Sequence, residues 1–222
     1  MSKILATAIL ILMLAGPAAA SVWSGENGVV RFDFAAGDDM VTVLETGEPE
    51  SGVTRVNVRC WLDDLDPVAQ NGEAFLYLGG FELILDITGA EAFILKQELP
   101  EGSLNLGKKS GQIAAGIHPG EKIVDGRVLL ATWEQMLQGR PENVRLGLDP
   151  AGAASCETVE GCPVGETAMI YVGNQDSGQL FYMFGAGYEP AWINPEGTPD
   201  QEPVVGPRTW EEVGVFEARE LR

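Results

Sequence analysis

Val56-Asn57-Val58-Arg59-Cys60-Trp61-Leu62 alternates along its length, with Val56, Val58, Cys60 and Leu62 on one face and Asn57, Arg59 and Trp61 on the other. A period of two is the signature of a strand with one buried face. Thr54 to Leu62 is therefore an amphipathic strand. The same signal returns in Phe81-Glu82-Leu83-Ile84-Leu85-Asp86-Ile87, where residues 81, 83, 85 and 87 are all apolar.

Working outward, Val30, Phe32 and Phe34 alternate with Arg31 and Asp33, and Met40 to Leu44 follows the Gly37-Asp38-Asp39 turn. Ala92 to Leu99, Gln112 to Ile117, Arg127 to Trp133, Val144 to Leu148, Ala168 to Val172 and Leu180 to Phe184 read as further strands. Turn residues punctuate them at Pro100-Glu101-Gly102, Pro119-Gly120, Asp125-Gly126 and Asp176-Ser177-Gly178. Leu129 to Gln138 fits a helix as well as a strand. Short, closely spaced strands without recurring helical crossovers predict an all-β fold, an antiparallel β-sandwich.

The organisation expected is a leader at 1–20, a sandwich domain at 21–188 and a tail at 189–222 rich in Pro, Gly and acid. Lys3, the apolar run Ile4 to Leu14, Gly16-Pro17 and Ala18-Ala19-Ala20 have the layout of a cleavable secretory signal, with Ser21 as the mature start. The apolar run is shorter than the roughly 20 residues a membrane span needs. A secreted or periplasmic protein is expected. In the tail, Thr209-Trp210-Glu211-Glu212 has the form of a capping box and predicts a short helix over 209–221.

Charge narrows the partners. The 14 Lys and Arg less Lys3 leave 13, against 33 Asp and Glu. Such a chain repels nucleic acid and anionic membrane surfaces at long range. Among the three cysteines, Cys156 and Cys162 bracket a short loop and are the natural disulfide pair in an oxidising compartment. Cys60, on the apolar face of its strand, is expected to be a buried, unreactive thiol.

Sites of known chemistry are few. The single histidine, His118, has no Gly-x-Ser-x-Gly elbow to serve, and one histidine without a Cys-x-x-Cys pair excludes the usual zinc sets. No P-loop or dinucleotide fingerprint occurs. No cofactor is expected, except that Asp63, Asp64 and Asp66 cluster as calcium ligands do, without EF-hand spacing. Trp61 and Tyr182 are the candidate ligand-binding aromatics, because flat rings suit the apolar faces of sugars. Glu73, Glu82, Asp86 and Glu134 keep a glycosidase with paired carboxylates as the alternative, although no spacing selects a pair.

At Val53–Leu62, Gly79–Ile87 and Val128–Trp133 the chain resembles the cohesin and carbohydrate-binding-module type of β-sandwich. The shared patterns are a Val-rich early strand, then Gly80-Phe81-Glu82-Leu83-Ile84-Leu85, then Leu130-Ala131-Thr132-Trp133. The resemblance covers residues 53–150 and implies a jelly-roll sandwich with non-catalytic binding of a polysaccharide or an extracellular protein. The family's Tyr-Asp-Pro continuation is replaced by Asp86-Ile87-Thr88-Gly89, and no functional residue carries over.

Overall fold

The computed structural model describes residues 28–34, 40–65, 77–108, 110–149, 168–174, 179–186, 188–199 and 209–211. All regular structure among them is β. In chain order the strands are β1 (Val29–Phe34), β2 (Val43–Leu44), β3 (Val53–Asp63), β4 (Tyr77–Thr88) and β5 (Ala92–Glu98). Then come β6 (Ser103–Asn105), β7 (Gln112–Lys122), β8 (Val128–Gln138), β9 (Val144–Leu148) and β10 (Ala168–Asn174). The series ends with β11 (Gln179–Ala186), β12 (Tyr188–Glu189), β13 (Ala191–Ile193) and β14 (Thr209–Glu211).

Two sheets face each other. The first has the order β12-β1-β3-β8-β5. The second runs β14-β11-β10-β4-β9-β13-β2, with β7 and then β6 attached to β4. Strand β4 is long enough to serve three partners. Leu85 N–H donates to Gly111 O on the β7 side, while Asp149 N–H donates to Ile84 O on the other edge. Because successive residues of a strand point their backbone groups to opposite edges, β10 and β9 lie end to end along the edge opposite β7. Pairings are antiparallel except β1 with β12 and β13 with β2.

The period-two reading holds at the core. Val56, Val58, Cys60 and Leu62 are all buried, and so are Phe81, Leu83 and Leu85. They meet Phe32, Leu78, Ile113, Leu130, Trp133, Leu137, Leu146 and Ile170 in one cluster between the sheets. The ambiguous stretch Leu129–Gln138 is strand, because β8 lies between β3 and β5 and is paired along both edges. A helix there would leave both neighbours' backbone groups unpaired.

Three expectations change. Pro119-Gly120 does not end its strand, since β7 continues to Lys122 and pairs with β4 at Tyr77. Glu189 and Ala191 to Ile193 are not linker; Glu189 of β12 pairs with Arg31 of β1, and β13 joins β9 and β2, so paired strands continue beyond residue 188. Thr209–Glu211, read as a helix start, is a strand added to the β11 edge at Tyr182 to Phe184. Three residues of capping pattern are outweighed by an open strand edge. The remainder of that helix, the leader at 1–20, Cys156, Cys162 and Asp66 lie outside the described residues. Among the described residues no helix is long and apolar enough to cross a membrane.

The Asp125-Gly126 turn is formed as expected. Val124 and Arg127 exchange backbone hydrogen bonds of 3.0 and 2.9 Å across it. Both turn residues have positive φ, 51° and 72°, and Leu65 N–H donates to Gly126 O at 3.0 Å. A Cβ on Gly126 would sit 2.6 Å from Leu65 O, so glycine is required here twice over. The turn carries the chain from β7 in one sheet to β8 in the other.

Cys60 is a thiol with no solvent access, and burial, then the charge of Asp33, pushes its pKa up. The thiolate is the reactive form. Cys60 in native protein is therefore expected to resist thiol reagents until global unfolding, and labelling of Cys60 at the rate of denatured protein would refute this. Stability from the neutral Cys60 thiol is full below the unfolded thiol's pKa, about 8.5. It is lost as pH rises toward the higher folded value.

Candidate functional site

The outward face of the first sheet carries the side chains that alternate away from the core. Register sets them in rows. Arg31 of β1 stands between Glu189 of β12 and Trp61 of β3. One step along, Asp33 stands opposite Arg59, Arg59 opposite Thr132 of β8, and Thr132 opposite Glu98 of β5.

Arg31 gathers three carboxylates. Its Nε and Nη2 donate to Glu189 at 2.7 and 3.0 Å, Nη1 to Asp63 at 2.9 Å, and Nη2 to Asp64 at 2.7 Å. The hydrogen bond to Glu189 raises its pKa most, opposed by desolvation and reinforced by Asp63 and Asp64. Asp63 and Asp64, two of the proposed calcium ligands, thus do converge, but on a guanidinium that supplies the positive charge. Among the described residues no group of three or more His, Cys, Asp or Glu side chains is placed to hold a metal ion.

Beside this cluster lies a fully buried carboxylate. Asp33 is 0% exposed although it points away from the sandwich core. Arg59 closes over it with Nε to Oδ1 at 2.7 Å and Nη2 to Oδ2 at 2.9 Å, the planar fork matched to the carboxylate. The indole N–H of Trp61 adds a donor to Oδ1 at 3.3 Å.

Trp61 faces outward, as the alternation requires, yet its ring is not an open platform. The Arg127 guanidinium lies over it with Cζ 4.1 Å from the ring centroid, and Arg59 Cζ lies 5.5 Å away. Both distances suit a cation–π contact. The indole therefore tiles the space between two arginines. Tyr182, the second candidate aromatic, sits in β11 of the other sheet, opposite Tyr171 of β10 and Glu211 of β14. The two aromatics do not share a site.

What the first sheet does offer is a cleft of about 610 Å³ next to this network. Leu129, Ala131 and Thr132 of β8 line it, with Glu98 of β5, Leu99, Pro100 and Glu101 of the following turn, and Glu121 near the end of β7. Leu129 is opposite Trp61 in register, where a bulge in β3 and β8 shifts the pairing, so the cleft adjoins the tryptophan–arginine patch. Lys96 Nζ pairs with Glu98 at 2.5 Å, and that hydrogen bond raises the pKa of this exposed lysine. Glu101 and Glu121 have no ion pair among the described residues. The site thus joins apolar surface to uncompensated negative charge.

Of the carboxylates weighed for a hydrolase, Glu82 and Asp86 belong to β4 and Glu134 to β8, in opposite sheets. Glu73 lies outside the described residues. Glu134 is paired with Arg55 at 3.3 Å.

No family model matches the chain, and no curated protein matches it. Among solved structures it is similar to the cohesin module from the family 33 glycoside hydrolase of Clostridium perfringens ATCC13124. The two are 12% identical with a TM-score of 0.40, and the match covers 77% of this chain and 100% of that one.

Sequence reasoning found Trp61, Asp63 and Asp64 but missed their partners Arg31, Asp33, Arg59 and Arg127. It also missed Glu98, Glu101 and Glu121, of which the first two follow one another at the end of β5 and the third comes from β7. Strand alternation marks Arg31, Asp33, Arg59 and Trp61 as outward. Only register shows that they meet.

Proposed function

We propose that the protein is an exported, non-catalytic binding module, and that the cleft beside Trp61 takes a polypeptide segment bearing apolar and cationic side chains. The observation that carries this is the pairing, in one concavity, of Leu99, Pro100 and Leu129 with Glu101 and Glu121, which lack ion pairs among the described residues. Apolar contact gives affinity without direction, and the carboxylates give sign and register. The leader-like segment at 1–20 supports export. A protein ligand suits the site better than a sugar, because Arg127 covers the Trp61 face that a pyranose ring would stack on.

The test uses purified chain against synthetic peptides that combine leucine and lysine, against neutral counterparts, and against a glycan array. Saturable binding of the lysine peptides is expected. Carboxylates that are exposed, as Glu101 is, or half-buried, as Glu121 is, contribute about 0.5–1 kcal/mol each, so Glu101→Gln with Glu121→Gln should weaken binding roughly tenfold. Equal affinity in the double variant would remove the cleft from the mechanism. Binding to glycans alone would replace the protein ligand by a carbohydrate, and glycan turnover would make the protein a hydrolase.

A further inference from the structure

The surface holds a second feature that matches the cleft in reverse. The β6–β7 hairpin projects Leu104 and Leu106, which are 66% and 68% exposed, the two highest values among the exposed large apolar side chains described. Lys108 follows, also exposed. Every described arginine is held in an ion pair or, for Arg145, against the Tyr188 hydroxyl and ring, and Lys96 is paired with Glu98. Lys108 and Lys122 are left without an ion pair among the described residues, and Lys108 is the one that closely follows two exposed leucines.

The tip is built to hold its shape. Asn105 Oδ1 accepts from Gly107 N–H at 2.9 Å and from Ala114 N–H at 3.0 Å, and Gln112 Oε1 accepts from Lys108 N–H at 3.1 Å. A segment ordered before binding loses less entropy on docking. It cannot reach the cleft of its own chain. Gln112, at the tip, and Glu121, at the cleft, are the near and far ends of β7, nine residues apart and so roughly 30 Å at a strand's rise.

Resting on the cleft reading above, we propose that the occupant of the cleft is a second copy of this chain: the β6–β7 tip of one molecule, with Leu106 and Lys108, enters the cleft of the next. Leu106 meets Leu99, Pro100 and Leu129, and the Lys108 ammonium meets Glu101 and Glu121. Tip and cleft are different surfaces, so the contact is head-to-tail. Such contacts do not pair off as twofold dimers; they propagate into chains or close into rings. Net negative charge opposes this over long range, and salt near 0.15 M, with a Debye length of about 8 Å, screens that repulsion more than the local contact.

The experiment is analytical ultracentrifugation of the full chain in such salt, over a wide concentration range. Wild-type protein should show a concentration-dependent series of oligomers. Leu106→Ser with Lys108→Ser disables the tip, and Glu101→Gln with Glu121→Gln disables the cleft. All four residues are at the surface, so folding is checked by unchanged circular dichroism. Each double variant alone should weaken association at least tenfold. Their mixture should give a 1:1 dimer that grows no further, because it has one live tip and one live cleft. A wild-type monomer at every soluble concentration would overturn the proposal, as would association unaffected in either variant. If the lysine peptides still bind that monomer, only self-docking has failed; if neither binds, the cleft reading fails with it.

Discussion

Replacing Arg59 with methionine is expected to lower the free energy of unfolding by about 3–5 kcal/mol, the range seen when one member of a buried ion pair is removed. Asp33 has no exposure to water, and Arg59 gives it two hydrogen bonds of 2.7 and 2.9 Å. Methionine keeps much of the side chain's volume and removes the charge, leaving a buried carboxylate with the Trp61 N–H at 3.3 Å as its remaining described side-chain donor. The loss comes less from the pair's attraction than from the unpaired charge. Asp33→Asn in the same chain should therefore recover part of it, making the double variant more stable than Arg59→Met alone. Urea unfolding of the four proteins measures this. If the losses simply add, the two residues are not coupled and the network is surface decoration.

Much of the fold was legible because it depends on short-range pattern. Val56, Val58, Cys60 and Leu62 form a buried face, and any strand of that sequence would bury them together. Cross-strand chemistry was not legible. Asp33 reads as a solvent-facing acid in Val30-Arg31-Phe32-Asp33-Phe34, and it is buried because register sets Arg59 opposite it. Asp63 and Asp64 read as a free acidic loop, and Arg31, some thirty residues earlier, neutralises them. The strands near the end of the chain, Tyr188–Glu189 and Ala191–Ile193, are too short to show a period. They are fixed by the edges they cover. Thr209-Trp210-Glu211 shows the same rule from the other side, where local preference for a helix cap gives way to pairing with β11. The cleft is the extreme case, since Glu98 and Glu101 are far along the chain from Glu121 and Leu129 and meet them only when β5, β7 and β8 are packed.

Trp133→Ala should be the most damaging single truncation in the core, at about 3–5 kcal/mol. The side chain is fully buried at the middle of β8, opposite Val58 of β3 and Gln97 of β5. Its ring N–H donates to Gln97 Oε1 at 3.0 Å. Two contributions are separable. Trp133→Phe keeps most of the packing and drops the donor, and should cost about 1–2 kcal/mol, the scale of a lost hydrogen bond with some lost volume. Gln97→Leu leaves the buried indole N–H unpaired and should cost about 1–3 kcal/mol. With phenylalanine already at 133 there is no donor to strand, so Gln97→Leu should then cost much less. Denaturant unfolding orders the variants, and an alanine variant within about 1 kcal/mol of wild type would mean that the core closes around the gap. The effect should reach the cleft as well. Thr132, Ala131 and Leu129 lie on the same strand within four residues of Trp133 and form part of the cleft lining. A β8 loosened at its anchor holds that lining less well. Peptide affinity should therefore fall in Trp133→Ala under conditions where the variant is still folded, and fall little in Trp133→Phe. Unchanged affinity in the alanine variant would show that the cleft is held by β5 and β7 without help from the core beneath it.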